Sequence, residues 1–432
     1  KGIDWGHENG YTLIIALDCG IKAVEKVAYA KGLGMDMIIC DHHLPDEALP
    51  PAVAIPDPHR RACSYPSDDL SGCGVGFKLI QAYAIRKSIP FAWVESFLDL
   101  VAVSIAADLV SMTGENRILA YYGLERLNQS PRKGLQAISR VSGLENHKIS
   151  VDDIGFKIGP RISAAGRMES GRTAVHLLVS RSDEEAQNIG KIIDLHNKER
   201  KSVDKQITKA AIESVMNDSS FRDRKSTVVF DPKWNKGVVA IVASRLVEAF
   251  YRPTIVLTES NGLITGSARS IAGFDLYEAI KECSEYLENY GGHMYAAGLT
   301  LKKENLKPFE EKFEQVVAEK ITEDILTPVV QIDTFLDFKQ ITPKFFRILK
   351  QFQPFGPGNQ SPVFITENVY DNGNGRLVGS GNGHMKLELI QEDEPYRYIS
   401  AIAFNRAEHF EHLHAGNPVD ICYSIAENSY HG

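Results

Sequence analysis

Two apolar runs of strand length, each closed by ionisable residues, constrain this chain more than any other feature. The first, YTLIIALDCG (11–20), ends on Asp18; the second, MDMIIC (35–40), runs into Asp41, His42 and His43. Between them Ile21, Val24, Val27 and Ala28 recur at helical spacing. Strand, helix and strand in so short a stretch make a βαβ unit, and such a unit joins parallel strands. Its crossover is right-handed, so both strands finish on the same edge of the sheet. Asp18 is thereby placed beside the Asp41-His42-His43 run, on the edge where open α/β sheets bind ligands. AVAIP (52–56) reads as a third strand of this sheet.

Carboxylate oxygens mixed with imidazole suit Mn²⁺ or Mg²⁺ better than a thiolate zinc site. The six cysteines (19, 40, 63, 73, 283, 422) show no CxxC spacing, which argues against zinc and against a disulfide framework. A reducing, cytoplasmic compartment is the expectation. A polar loop is the plain alternative for Asp41-His42-His43, but three ligand types in a row, aimed at a second strand-end carboxylate, favour a metal. Asp108, in SIAADLV, is a carboxylate in an otherwise apolar helix; taken alone it reads as a capping or solvent-facing residue.

Further along, a mostly helical stretch covers about 74–128, and residues 182–217, free of Pro and with Gly190 as their one glycine, read as a single long connecting helix. A second βα-rich unit follows over 225–322, with strands at 226–230, 254–258, 263–268 and 296–301 and helices near 237–250 and 275–289. From 328 the pattern alternates in period two (VVQIDTFLDF, PVFITENVY, HMKLELIQ, YISAIAF, VDICYSIA), broken by a short helix at 342–352. That spacing suggests a small barrel, with an OB-fold the leading candidate. Its aromatics, Phe352, Phe355, Phe364, Tyr370 and Phe404, read mostly as core, with some available to stack on bases. The FGPGN turn (355–359) reads as the piece that positions the barrel.

The net charge of −8 rules out a uniformly basic surface but leaves room for a local basic groove. Lys157, Arg161, Arg167 and Arg172 face a single acid, Glu169, in a stretch where Gly159, Gly166 and Gly171 let the backbone approach an anion. Phosphate contact by Arg161 and Arg167 is the preferred reading. A second basic window, 198–209 on the long helix, is as readily a solvated face. No apolar run is long enough to cross a membrane, and KGIDWGHENG lacks the apolar core of a signal peptide.

ALDCG, CDHH and AADLV resemble, in that order, motifs II, III and IV of the DHH phosphoesterase superfamily, and GSARS (266–270) and GGHMYAAG (291–298) resemble its DHHA1 companion domain. IGPRISAAGR (158–167), WNKGVVAIVASRL (234–246) and FQPFGPGN (352–359) resemble the branch of single-strand-specific DNA exonucleases. The implied fold is α/β: a partial parallel-sheet DHH domain (1–181), a connecting helix (182–224), an α/β DHHA1 domain (225–322) and a C-terminal OB-like barrel (323–432).

The resemblance implies roles. Asp18 is similar to a carboxylate bridging two metal ions, and His42 and Asp108, with Asp41 beside them, to ligands of one ion. Asp41 and His43 are the catalytic candidates, His43 resembling a histidine that contacts the scissile phosphate. Ser267, Arg269, Gly291, Gly292 and His293, weak signals by themselves, become phosphate-binding candidates. The implied substrate is single-stranded DNA, cut from the 5′ end by metal-activated water, in DNA repair and recombination. The family's motif I, an Asp-rich strand end, has no match ahead of Asp18, so this stretch by itself is expected to be impaired. The rival expectations are a phosphodiesterase of oligoribonucleotides or cyclic dinucleotides and a non-catalytic single-strand-binding module.

Overall fold

The structure, a computed structural model, describes residues 1–392 and 394–427; positions 428–432 of the expected barrel lie outside the described residues. The chain divides into two compact units, one made of Lys1–Gln129 with Val330–Gly432 and the other of Ser130–Val329.

The first unit opens with α1 (Gly2–Glu8), β1 (Leu13–Leu17), α2 (Val24–Gly32) and β2 (Asp36–Cys40). β1 and β2 are parallel, Leu13 opposite Asp36 and Leu17 opposite Cys40, as the βαβ pattern requires. The expected third strand is reduced to one parallel bridge, Ile38 with Ala54, and a run of amide bonds along β2. Pro50, Pro51 and Pro56 remove donors there, so no full ladder can form. Helices α3 (Gly72–Arg86), α4 (Leu98–Asp108) and α5 (Gly114–Gln129) follow. Ile39, Val101, Ile105 and Leu127 are fully buried among them, whereas Leu13, Ile15 and Leu17 on one face of β1 are exposed.

The barrel belongs to this same unit. It comprises β8 (Thr334–Phe335), α13 (Pro343–Leu349), β9 (Phe364–Asp371), β10 (Arg376–Val378), β11 (His384–Gln391), β12 (Glu394–Ala403), α14 (Phe410–His414) and β13 (Val419–Tyr423). Phe338, Val369, Met385, Leu387 and Leu389 form its core. Phe364 is buried, while Phe352 and Phe404 are exposed. The FGPGN turn docks on 111–117: Met112 N donates to Pro357 O, and Arg117 donates to the carbonyls of Gln351, Phe352 and Gln353.

In the second unit, α6 (Lys133–Val141), α7 (Gly159–Met168) and α8 (Gly171–Val179) pack on the 35-residue α9 (Asp183–Asn217). Small residues allow it: a Cβ on Gly134 would lie 2.1 Å from Leu177 O, and one on Gly190 would meet Ala137. This packing draws residues 130–181 to the long helix, and the two compact units meet along the chain at 129/130. A five-stranded sheet in the order β3-β4-β5-β7-β6 follows, from β3 (Thr227–Phe230), β4 (Thr254–Ser260), β5 (Leu263–Arg269), β6 (Leu287–His293) and β7 (Ala296–Leu301). It is flanked by α10 (Val239–Phe250), α11 (Leu276–Lys281) and α12 (Leu306–Lys320). The helix expected to reach 289 stops at Lys281, and Leu287–His293 pairs instead with β7.

Candidate functional site

β1 and β2 deliver their terminal residues to one edge. Asp18, just past β1, adopts a left-handed backbone (φ 63°) and its amide donates to Cys40 O at 2.8 Å. A Cβ on Gly72, at the start of α3, would lie 2.1 Å from Oδ1 of Asp18, so only glycine leaves room for that carboxylate. The ligand atoms of Asp18, His42 and His43 all lie within 4.8 Å of one another. His42 Nε2 is 3.1 Å from Asp18 Oδ1 and 3.4 Å from Asp108 Oδ2. Asp108 is the last residue of α4, and Leu109 (φ 58°) turns the chain away.

The electrostatics are those of a crowded acidic pocket. The hydrogen bond to Asp18 is the main cause raising the His42 pKa, against an opposing effect of burial. Burial raises the Asp108 carboxyl, and the charges of Asp18 and Asp69 add to the effect. Carboxylates and imidazole gathered this closely make a donor set suited to a divalent cation.

Asp41 is 1% exposed, and its carboxylate is taken up by the protein itself. Oδ2 accepts from Ile21 N (2.9 Å); Oδ1 accepts from His42 N (2.9 Å), His43 N (3.3 Å) and His43 Nδ1 (2.7 Å). Burial pushes this carboxyl up, and those hydrogen bonds outweigh it and hold the pKa below the usual range. Expected as a ligand and catalytic group, Asp41 is found as the strut that orients His43. The His43 proton on Nδ1 is thereby fixed, and Nε2 is left on the exposed side.

The second unit holds a separate basic trough. Ser267 on β5 stands opposite Gly298, and Gly298 opposite Gly291; Arg269 stands opposite Ala296, and Ala296 opposite His293. Residues directly opposite share a face, so Ser267, Arg269 and His293 project from one side, with only glycine and alanine between them. Gly291 has nothing within 4 Å of a virtual Cβ, whereas one on Gly292 would lie 2.3 Å from Ala296 O. Burial lowers the Arg269 pKa, with the charge of Arg167 adding to it. Arg167 Nη1 donates to Gly237 O; burial lowers the pKa of Arg200, 8% exposed on α9, with the charge of Asp204 opposing and those of Arg167 and Arg245 adding. No ion pair is found for Arg167, Arg200 or Arg269 among the described residues; each makes its hydrogen bonds to neutral oxygens. Arg167 and Arg269, hydrogen-bonded to neutral oxygens and acting on one another by charge, form an anion site, whereas Asp204 offsets the charge of Arg200.

Arg161 differs from expectation. Its Nε donates to Asp194 Oδ1 (2.9 Å), Nη1 to Lys157 O and Nη2 to Val141 O, so its fork is spent inside the protein. The sequence reading missed two residues: Gly72 and His59, whose Nδ1 lies 2.7 Å from His42 O. His59 lies just past the third apolar run, and that position on the sheet edge is the signal that could have found it.

Three family models match in series: DHH family, N-terminal domain, over residues 4–105; DHHA1 domain over 223–319; and RecJ OB domain over 332–432. The chain is 38% identical over 425 residues to the single-stranded-DNA-specific exonuclease RecJ of Bacillus subtilis, matching 98% of this chain and 52% of that protein. It therefore spans about half the length of that relative. Over 414 residues it is 32% identical to the single-stranded-DNA-specific exonuclease RecJ of Haemophilus influenzae, covering 92% of this chain and 71% of the relative. The crystal structure of RecJ in complex with Mn²⁺ from Thermus thermophilus matches all of this chain and 61% of that one, with a TM-score of 0.84 at 26% identity.

Proposed function

Because the chain belongs to the RecJ family of DHH-domain proteins, we propose that the protein hydrolyses phosphodiester bonds of single-stranded DNA from the 5′ end, as a cytoplasmic exonuclease of DNA repair and recombination. The observation that carries this reading is the convergence of Asp18, His42 and His43 on one small volume, with Asp108 against His42. Two carboxylates and imidazole nitrogen fit Mn²⁺ or Mg²⁺, and the raised His42 and Asp108 pKa values are those a divalent cation would relieve. Such an ion would supply Lewis acidity and a water of lowered pKa.

The protein's own groups account for the rest. Asp18, His42 and Asp108 are the ligands; Asp41 holds His43 so that Nε2 faces outward, as a donor to a phosphate oxygen when protonated. Arg167 and Arg269, with Ser267, Gly291, Gly292 and His293, grip phosphates of the strand, and bases are left unread because no base-edge code is needed. The ligand atoms of Asp18, His42 and His43, all within 4.8 Å of one another, would hold a divalent ion between them.

Mn²⁺-dependent release of a 5′ label from a single strand, lost in Asp18→Ala and slower on blunt duplex, is the expected result. Release that persists in Asp18→Ala would sink the reading. Faster turnover of a dinucleotide than of a long strand would move it to the small-substrate phosphodiesterases.

A further inference from the structure

The segment after the third apolar run follows β2 to its end. Ile39 N donates to Ala54 O (3.0 Å) and Asp41 N to Pro56 O (3.1 Å). Asp57, buried, then accepts His59 N on Oδ1 at 2.8 Å, which turns the chain back over the strand end. The His59 ring is thereby brought to the His42 carbonyl, with Nδ1 2.7 Å from the oxygen. A carbonyl only accepts, so Nδ1 carries the proton and donates.

That carbonyl belongs to the peptide unit joining His42 to His43. The N–H of the same unit is the His43 amide, which donates to Asp41 Oδ1 at 3.3 Å. One plane, from which both site imidazoles project, is thus pinned at both ends: Asp41 holds its N–H and His59 holds its C=O. With either end released, the plane can rotate about its flanking φ and ψ without breaking a strand hydrogen bond. Rotation would carry His42 Nε2 away from Asp18 and Asp108, and His43 away from Asp41.

We propose that His59 is a positioning residue that locks the His42–His43 peptide and so sets how tightly the site holds a divalent cation. The proposal rests on the metal-centre reading given above. It differs from general support of the fold because it depends on a donor at one ring position. Asparagine places its amide nitrogen as many bonds from Cα as Nδ1 lies, whereas glutamine places it at the distance of Nε2.

The test is Mn²⁺ titration of the 432-residue chain, followed by the spin-resonance signal of the free ion, with His59→Ala, His59→Asn and His59→Gln. Melting temperatures without metal are measured alongside. Loss of a group that orients a ligand weakens binding by about 10–100-fold, so Ala and Gln should fall in that range. Asn should stay within about threefold of the parent chain, because it keeps the donor. The metal-free melting temperatures of Asn and Gln should match. Equal affinity in Ala and the parent overturns the proposal, as does a common fall in Asn and Gln that tracks their melting temperatures. A parent chain that binds no Mn²⁺ overturns the metal centre and this proposal with it.

Discussion

Gly72 and Asp18 share a space that admits only one side chain: a Cβ on Gly72 would lie 2.1 Å from Oδ1 of Asp18 and 2.6 Å from its Cβ and Cγ. Asp18 cannot step aside cheaply, because its backbone is already left-handed and its amide is bonded to Cys40. Gly72→Ala should therefore displace the carboxylate, weaken Mn²⁺ binding at least about tenfold and cost about 1–3 kcal/mol of stability. Gly32→Ala, at the end of α2 with nothing within 4 Å, is the control and should change neither. Cation titration and urea denaturation of the two variants check the pair.

Asp41 faces four donors on its two oxygens. In Asp41→Asn one oxygen becomes an NH₂, so in either orientation at least one backbone N–H meets another donor. A buried donor left unsatisfied costs about 1–3 kcal/mol, and more when the lost acceptor is charged. The expected destabilisation is about 2–4 kcal/mol by denaturant unfolding. Nucleotide release should fall by at least about tenfold, since His43 loses the partner that fixes its ring. Unchanged release in a correctly folded Asp41→Asn would show that His43 needs no such support.

These two relationships mark where the sequence stops being readable. The strand ends that carry Asp18 and Asp41-His42-His43 are visible because apolar runs and the handedness of βαβ crossovers are local rules. The long helix 183–217 is visible for the same reason, through an uninterrupted helical composition. What a residue does at its place depends on partners far along the chain. Gly72 clears room for a side chain 54 positions earlier, a steric fact with no trace in LSGCGVG. Arg161 has the composition of a phosphate contact, yet its carboxylate partner sits 33 residues on, in α9. Arg200 lies in a window that reads equally as a solvated face or a phosphate contact, and tertiary packing buries it. The segment 282–293 could serve a helix or a strand by its own pattern, and pairing with Ala296–Leu301 decides for the strand.

Arg161 and Arg269 should separate in experiment. Burial works to raise the Asp194 carboxyl, but hydrogen bonds from Lys198 and Arg161 outweigh it and hold the pKa below the usual range. A carboxyl depressed in the folded state contributes stability above its unfolded pKa of about 4 and loses that contribution as pH falls through the folded value. Arg161→Ala should cost about 1–2 kcal/mol at pH 7, with the deficit narrowing as pH falls below about 4. Its affinity for single-stranded DNA should stay near that of the parent. Arg269→Ala should leave stability nearly unchanged, weaken binding and reduce the salt slope of log K by about 0.7, the loss of one phosphate contact on a single strand. Denaturation at two pH values and binding at several salt concentrations measure both.

The outer face of the barrel offers a different kind of contact. Along β12 and into the next residue, Tyr398, Ile402 and Phe404 are exposed, Phe404 at 63%, while Ile399, Ala401 and Ala403 turn inward to the barrel core. Lys386 of β11 stands opposite Ile402, and Arg376 of β10 opposite Lys386, so two cations lie across the sheet beside the apolar row. The His384 ring meets Phe404 edge-on at 5.4 Å and steadies it. Tyr398 and Phe404 are six residues apart, about 20 Å along an extended strand, a span of several nucleotides. Stacking contributes about 1–3 kcal/mol per base and responds little to salt, whereas phosphate contacts respond strongly. Phe404→Ala should therefore weaken single-strand binding by about 5–100-fold with an unchanged salt slope, and Lys386→Ala should lower the slope. Both variants should keep the parent's unfolding midpoint, because neither side chain is in the core. If Phe404→Ala binds as the parent does, the strand passes elsewhere on the barrel and the exposed row has no part in holding it.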